Sequence, residues 1–310
     1  MSGTLVHDAL IYDSDEAYLA SIVPFLQEGL SRGDGAVVAT HDRNRDLLAA
    51  ELGSHADAIA FVPATDVYRS IHGAIRTYDD VLDRFRRAGT TAVRAIGEIP
   101  YGVATDADAW LRYEPIAHSV FADAPLHVIC PYDARTLPAS LIEHAERTHP
   151  HLTHGAERRP SLAFTDPEQL VRAMRSADAT TLLGTPELLV RSDLPDLRTA
   201  RHVIGDAIEQ HLPSDRREEA LLAISEAMAN GVRHGTGATT AALWTRADEL
   251  VCVIRNDGPA ISDPFAGYRP PARPASNGMG LWITRQLADR LEIDHDERGP
   301  VITLAFSTRS

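Results

Sequence analysis

The first part of the chain alternates short apolar runs with longer segments whose apolar residues recur every three or four positions. Short apolar runs indicate buried strands, and the longer periodic segments indicate helices. The predicted strands are Ala9–Tyr12, Ala36–Thr40, Ala58–Val62, Thr91–Ile96 and Leu126–Cys130. The predicted helices between them are Glu16–Ser31, Arg43–Leu52, Ser70–Ala88 and Ala107–Phe121. This alternation predicts an α/β domain with a parallel sheet.

The pattern then becomes more polar before a second domain begins. A helix at Pro138–Arg147 is followed by a polar stretch, residues 148–161, that is typical of a loop. A short helix at Asp166–Ala177 comes next. We therefore expect a first domain at residues 1–177, a linker at 178–186 and a second domain at 187–310.

The second domain has a different order of elements. Two helices come early and the remaining strands come late, which is the pattern of an antiparallel sheet covered by helices. The predicted helices are Asp196–Gln210, Arg216–Gly235 and Leu281–Leu291. The predicted strands are Glu187–Arg191, Thr239–Arg246, Leu250–Asn256 and Val301–Ser307, and a Pro/Gly-rich loop covers Gly258–Asn277.

Composition narrows the chemistry that this chain can perform. The 310 residues carry 44 acids against 30 bases, a net charge of −14, so direct binding to nucleic acid is not expected. All 30 bases are Arg, which excludes a Walker A lysine and a Schiff-base lysine. No secretory signal or membrane-length apolar run is evident, and the two cysteines, Cys130 and Cys252, do not suggest a disulfide framework. We expect a cytoplasmic protein without a membrane partner.

Three features of the second domain suggest nucleotide chemistry. Glu226, Asn230 and His234 are spaced to lie on one face of a helix, although a solvated polar stripe explains that spacing about equally well. A turn, Asn256–Gly258, follows a predicted strand. Two glycines, Gly278 and Gly280, then open a helix, where free backbone amides bind phosphate without a lysine.

These features resemble the N, G1 and G2 boxes of the GHKL ATPases. Their order along the chain is a helix with an acid and an amide, a turn with a glycine after a strand, a long loop, and a helix that begins with glycines. The group includes gyrase, Hsp90, histidine kinases and MutL, and residues 185–310 are most similar to the RsbW-type anti-sigma factor serine kinases. The resemblance implies an α/β-sandwich fold, ATP and Mg²⁺ as cofactors, Asn230 as the magnesium ligand and Glu226 as the general base. It implies a lid at Asp263–Asn277. The implied ATP-binding residues are Asn230, Asn256, Asp257, Gly258, Gly278, Met279, Gly280 and Leu281.

The same resemblance implies a sigma factor and a STAS-domain anti-anti-sigma protein as partners, with a role in transcription regulation and stress response. Arg198 and Arg201, on the first predicted helix of the second domain, are the partner-binding candidates. The alternative is that they only form a solvated edge of this helix. A homodimer is a further expectation.

Two departures from the family pattern leave a second hypothesis open. Asn256 stands where the family has the Asp that contacts adenine, and Ala260 replaces the second glycine of that box. Asn accepts a hydrogen bond without a charge-assisted contribution. The chain is therefore either a kinase or a non-catalytic partner-binding module of the same fold. A third hypothesis, a transcriptional repressor, requires a helix-turn-helix that the sequence does not show.

The first domain resembles the MEDS sensory domain through residues 7–34, Trp110–Glu114, Ile129–Pro138 and His144–Pro150. That resemblance implies a RecA-like fold without a phosphate loop, and the acidic residues 13–16 follow the first strand where a nucleotide binder would need Gly and Lys. We expect a sensor without ATPase activity. Its sensory candidates are His7 and Cys130, with Cys130 more often expected as an inert buried thiol. For His149, His151 and His154 a solvated helix end is favoured over a metal site.

Overall fold

The computed structural model describes residues 4–101, 110–155, 157–174, 184–192, 197–246, 248–269 and 279–309. The chain divides into two compact units, Met1–Ala173 and Met174–Ser310. Residues 178–183 of the predicted linker lie outside the described residues. Each unit has its own sheet and its own hydrophobic core, and the predicted α/β class is confirmed: one sheet is mostly parallel and the other is antiparallel.

Within the described residues, the first unit contains a seven-stranded sheet in the order β3-β2-β4-β5-β1-β6-β7. All neighbouring strands are parallel except β6 and β7. Every residue of β2 and β4 is buried, as expected for strands that are covered on both faces. The strands are β1 (Val6–Tyr12), β2 (Gly35–Thr40), β3 (Ala60–Pro63), β4 (Val93–Gly97), β5 (Leu126–Asp133), β6 (His151–His154) and β7 (Glu157–Pro160).

The helices of the first unit begin and end where the sequence provides caps. Ser14 accepts a hydrogen bond from the amide of Ala17 at 3.1 Å, so the acidic segment after β1 starts a helix. Gly33, with φ 82°, ends that helix in the left-handed region. The helices are α1 (Asp15–Arg32), α2 (Asp42–Leu52), α3 (Ala64–Val67), α4 (Ile71–Arg87), α5 (Tyr113–Val120), α6 (Ala139–Thr148) and α7 (Pro167–Ala173), with a 3₁₀ segment at Gly53–Ala58. Predicted helical residues 107–109 and 175–177 lie outside the described part of the chain.

The polar stretch 148–161 was predicted as a loop, and that prediction is wrong. It contains β6, which pairs with β1, and β7, which pairs with β6. Its polar residues are compatible with a sheet because Arg158 reaches the buried Asp8, with Nε–Oδ2 at 2.7 Å and Nη2–Oδ1 at 3.0 Å. The sequence pattern did not predict these strands because their polar residues are paired with distant residues of the fold.

In the second unit, the described strands form an antiparallel sheet in the order β11-β12-β10-β9-β8. They are β8 (Leu188–Ser192), β9 (Thr239–Thr245), β10 (Glu249–Arg255), β11 (Arg290–Asp296) and β12 (Gly299–Ser307). The helices are α8 (Leu197–His211), α9 (Ser214–His234) and α10 (Met279–Leu287). Their apolar faces pack with the sheet in one buried core that includes Ile204, Ile224 and Phe306. None of the helices in the described ranges is long and apolar enough to cross a membrane.

The predicted helix Leu281–Leu291 is too long at its C-terminal end. The helix ends at Leu287, and Arg290–Asp296 forms β11 beside β12. Polar Arg290, Glu292 and Asp294 alternate with Leu291 and Ile293, which is the period of a strand. This signal was present in the sequence and was missed.

Candidate functional site

Helix α9 positions the acid and the amide that the sequence analysis selected. Its buried face, which includes Ala223, Ile224 and Ala227, packs into the core of the second unit. Glu226 and Asn230 lie at the border of that face and are half-buried. His234, one turn further on, is exposed at the end of the helix. The helix therefore presents the carboxylate and the amide together and separates them from the histidine.

Helix α10 brings a glycine directly against this pair. A methyl group built on Gly280 would lie 2.8 Å from Glu226 Oε2 and 3.0 Å from Asn230 Nδ2. The hydroxyl of Thr284 joins the two helices, since it donates to the carbonyl of Gly280 at 2.8 Å and lies 3.3 Å from the carbonyl of Ala223. Only glycine leaves both polar side chains undisturbed at this position.

Not all of the predicted ATP-binding residues at the start of α10 belong to the described part of the chain. Met279 is the first residue of α10, and Leu281 is buried in the core. Gly278, which the resemblance places at the phosphates, lies outside the described residues. The structure therefore places one of the two predicted glycines beside Glu226 and Asn230.

The turn after β10 contacts the C-terminal end of α9. A methyl group on Gly258 would lie 2.6 Å from the carbonyl oxygen of His234, so the two segments approach closely. Asn256 Oδ1 accepts a hydrogen bond from the amide of Gly258 at 2.8 Å. Asn256 also faces α9, because its Nδ2 is 3.3 Å from the position of a methyl group on Gly231. The turn thus lies next to the C-terminal end of the helix that carries Glu226 and Asn230.

Asp257 binds the backbone of the loop that follows α9. Its Oδ1 accepts hydrogen bonds from the amides of Gly237 at 2.7 Å and Thr236 at 2.9 Å. Both hydrogen bonds lower the pKa of the Asp257 carboxyl below its ordinary value, and the one from Gly237 has the larger effect. Both hydrogen bonds use Oδ1 and fix the orientation of the carboxylate. Asn256, by contrast, has a remaining lone pair on Oδ1.

The described part of the predicted lid contacts α10 through Ala266 and Tyr268. The guanidinium of Arg285 lies 3.8 Å from the ring centre of Tyr268, and its Nε donates to the carbonyl of Ala266 at 2.8 Å. Arg285 also contacts the carbonyl of Leu291 through Nη1 at 3.2 Å. The rest of the predicted lid, residues 270–277, lies outside the described part of the chain. Arg285 was missed by the sequence analysis, although a charged residue within an otherwise apolar helix was a usable signal.

The partner-binding candidates lie on the solvent face of α8. Arg198 and Arg201 are exposed, while Ala200, Ile204 and Ile208 of the same helix are buried. Both guanidinium groups are therefore available to a second protein.

In the first unit, the structure brings the two sensory candidates together. Cys130 Sγ lies 3.5 Å from His7 Nε2, and both residues are buried. Burial lowers the pKa of His7 to about 3 and raises the pKa of the Cys130 thiol well above its ordinary range. The buried, unreactive thiol that was favoured for Cys130 matches this environment.

The expectation of a solvated helix end is wrong for His149, whose ring is fully buried and lies tilted against the His7 ring, with 4.1 Å between the ring centres. His151 is half-buried and His154 is exposed. Burial lowers the pKa of His149 to about 3, so its imidazole is neutral at physiological pH. Sequence reasoning also missed Glu114, whose carboxylate Oε2 lies 3.0 Å from His7 Nε2.

The structure thus combines a mostly parallel α/β unit with a second unit in which an acid-amide helix meets Gly280 of a neighbouring helix. Comparison with known families defines the class of protein. Residues 6–150 match the MEDS family, the methanogen/methylotroph DcmR sensory domain, and residues 190–306 match the histidine kinase-like ATPase domain. The chain thus carries an N-terminal MEDS domain and a C-terminal histidine kinase-like ATPase domain, and both resemblances are confirmed.

One solved structure similar to the chain is the catalytic domain of histidine kinase ThkA in a nucleotide-free form. It shares 15% identity over 39% of this chain and 97% of its own length, with a TM-score of 0.29. None of the curated proteins compared matches the chain. ATPase domains of this fold generally bind ATP with Mg²⁺.

Proposed function

We propose that this protein is an anti-sigma factor regulator whose C-terminal domain binds Mg-ATP and phosphorylates a serine or threonine of a STAS-domain partner. The observation that carries this proposal is the convergence of Glu226 and Asn230 on Gly280. The two family matches support it, because they join a sensory domain to a kinase-like ATPase domain.

The donor set at this convergence fits Mg-ATP. Magnesium prefers oxygen ligands, and the side-chain oxygen of Asn230 supplies one while Glu226 adds negative charge nearby. The absence of a side chain at Gly280 lets the Glu226 carboxylate and the Asn230 amide approach the start of this helix closely. When bound, ATP supplies the transferable phosphoryl group and magnesium neutralises its developing charge.

Glu226 is the residue suited to move the proton. Its Oε2 is the atom nearest to Gly280, so the carboxylate faces the position where nucleotide and partner hydroxyl would meet. A carboxylate there accepts the proton of the attacking Ser or Thr hydroxyl. Thr284 holds α10 against α9 and thereby keeps this carboxylate and the glycine in register.

Partner capture is assigned to α8. Arg198 and Arg201 present exposed guanidinium groups, which offer planar sets of donors to the carboxylates of an acidic protein surface. In this proposal the free domain sequesters a sigma factor, the STAS protein competes for the same surface, and the MEDS domain controls the exchange.

A second candidate function is favoured by the turn after β10. Asn256 replaces an adenine-contacting acid, and the neighbouring Asp257 is held by the amides of Thr236 and Gly237. This arrangement weakens adenine recognition. The alternative is a non-catalytic module that holds the same partners while ATP is structural or absent.

A phosphate-transfer assay separates the two functions. The full chain is incubated with γ-labelled ATP, Mg²⁺ and a STAS-domain partner, and label on the partner is measured. We expect transfer by the wild type, none by Glu226→Gln, and normal transfer by the matched control Glu218→Gln, an exposed glutamate on the same helix. ATP binding without transfer by the wild type would favour the non-catalytic module, and near-normal transfer by Glu226→Gln would remove the general-base role.

A further inference from the structure

Four potential metal ligands from four separate segments converge inside the MEDS domain. His7 lies on β1, Glu114 on α5 and Cys130 on β5, and His149 immediately follows α6. Ala9 pairs with Cys130 in the parallel β1–β5 register, so His7, two residues before Ala9, projects from the same sheet face as Cys130. All four side chains are at least nine-tenths buried.

The four ligand atoms lie close enough together for one small ion to contact all of them. Glu114 Oε2 lies 3.0 Å from His7 Nε2, 3.7 Å from His149 Nε2 and 3.8 Å from Cys130 Sγ. Cys130 Sγ lies 3.5 Å from His7 Nε2, and one ligand atom from each residue falls within 4.8 Å of all the others. Zinc bonds of about 2.0–2.1 Å to nitrogen and about 2.3 Å to sulfur place one sulfur and three lighter tetrahedral ligands roughly 3.3–3.6 Å apart, so binding requires shifts of only a few tenths of an ångström from the distances seen here.

Outer contacts orient three of the four ligands towards the common centre. His149 Nδ1 lies 2.9 Å from the carbonyl of Ala145, which fixes the tautomer that leaves Nε2 as an acceptor. His7 Nδ1 contacts His118 Nδ1 at 3.2 Å, and Glu114 Oε1 accepts a hydrogen bond from the Tyr132 hydroxyl at 3.0 Å. In each case the remaining atom faces the cluster.

A hydrogen-bond network without metal explains this cluster less well. His149 Nε2 is buried and has no hydrogen-bond partner, which costs about 1–3 kcal/mol. The Glu114 carboxylate is 1% exposed and has no Arg among its hydrogen-bond partners in the described residues. A divalent cation would satisfy the orphaned nitrogen and neutralise the buried acid together.

We propose that His7, Glu114, Cys130 and His149 form a divalent transition-metal site, with zinc as the ion that fits best. Two neutral imidazoles, one carboxylate and one thiolate are ligands that zinc accepts, and their charge of −2 balances that of the ion. Binding converts the Cys130 thiol to a thiolate, and its proton is released to solvent. The site lies outside the ATPase domain and does not depend on the function proposed for that domain.

A small cavity adjoins the cluster. His7, Glu114 and Cys130 line it together with the rings of Tyr68, Tyr78 and Tyr113. The proposed ion would therefore lie beside a cavity with aromatic walls.

Metal binding by the wild-type full chain is the first test. The protein is stripped with a chelator, dialysed and titrated with Zn²⁺ and with Co²⁺ while absorbance and proton release are recorded. We expect one ion per chain, a sulfur-to-cobalt charge-transfer band and a higher melting temperature with zinc. Failure to bind one ion at micromolar concentration, or a cobalt complex without the thiolate band, would overturn the proposal.

Variants then assign the ligands. Cys130→Ser should abolish the charge-transfer band and weaken zinc more than about 100-fold, because it removes a direct ligand. Tyr132→Phe, which removes only the outer hydrogen bond to Glu114, should weaken zinc about 10-fold and keep the band. The control Cys252→Ser changes a buried thiol of the other unit and should bind zinc normally. A band that survives Cys130→Ser and disappears in Cys252→Ser would refute the assignment.

Discussion

The substitution Gly280→Ala tests the proposed nucleotide site at its most crowded point. The added methyl group would lie 2.8 Å from Glu226 Oε2 and 3.0 Å from Asn230 Nδ2, closer than carbon normally approaches these atoms. Both are the ends of flexible side chains, so the fold can adapt by turning them away. The overpacking cost of about 1–3 kcal/mol is partly offset by the roughly 1 kcal/mol by which alanine favours a helix over glycine.

The net loss of stability should therefore be about 0–2 kcal/mol, which leaves the domain folded, while Mg-ATP affinity should fall clearly. Loss of one hydrogen bond or ligand contact to a charged group costs about 1.5–3 kcal/mol, which corresponds to a dissociation constant roughly 10- to 150-fold higher. Calorimetric titration with Mg-ATP measures this, and circular dichroism confirms folding. Gly205→Ala on α8 is the matched control, because its methyl group would meet the Leu221 side chain at an ordinary 3.7 Å. Wild-type affinity in Gly280→Ala would refute the placement of the site.

Two further predictions concern other surfaces. Arg201→Ala should weaken capture of the sigma factor by about 1–3 kcal/mol and leave ATP affinity unchanged, as measured by interferometry; equal capture would remove Arg201 from the interface. Burial raises the pKa of Asp8, but hydrogen bonds from His127 and Arg158 outweigh it and set the folded pKa below the ordinary 3.8. This stabilisation is present above pH 3.8 and is lost as pH falls through the folded pKa. Arg158→Ala removes hydrogen bonds to a charged carboxylate and should therefore cost about 2 kcal/mol in urea denaturation near pH 7 and less near pH 3, and a pH-independent cost would contradict the pairing.

The sequence predicted elements best where their residues are apolar. Val37 and Val38 of β2 and the buried face of α9 were recognisable because burial imposes a regular spacing on apolar residues. β6 and β7 were missed because their polarity depends on the Asp8–Arg158 pair, which joins residues 150 positions apart. A pattern within a short stretch of sequence cannot indicate an ion pair between residues so far apart along the chain.

The candidate sites show the same division. The helical spacing of Glu226 and Asn230 was local information, and the structure does place both beside Gly280. The convergence of His7, Glu114 and His149 depends on how three elements pack, so the sequence indicated single residues and could not show the cluster. Asp257 illustrates the reverse case: its motif position suggested a ligand contact, while the structure shows it accepting hydrogen bonds from two backbone amides.

Calorimetric titration of the full chain with Mg-ATP, beside the Asn230→Ala variant, tests the central claim most directly. The side-chain oxygen of Asn230 is the magnesium ligand in our proposal, and the residue is half-buried without a core-packing role. We predict saturable binding by the wild type that requires Mg²⁺ and is lost in Asn230→Ala, which should melt at nearly the wild-type temperature. Absence of heat for the wild type at high micromolar nucleotide, or unchanged binding in Asn230→Ala, would contradict the account.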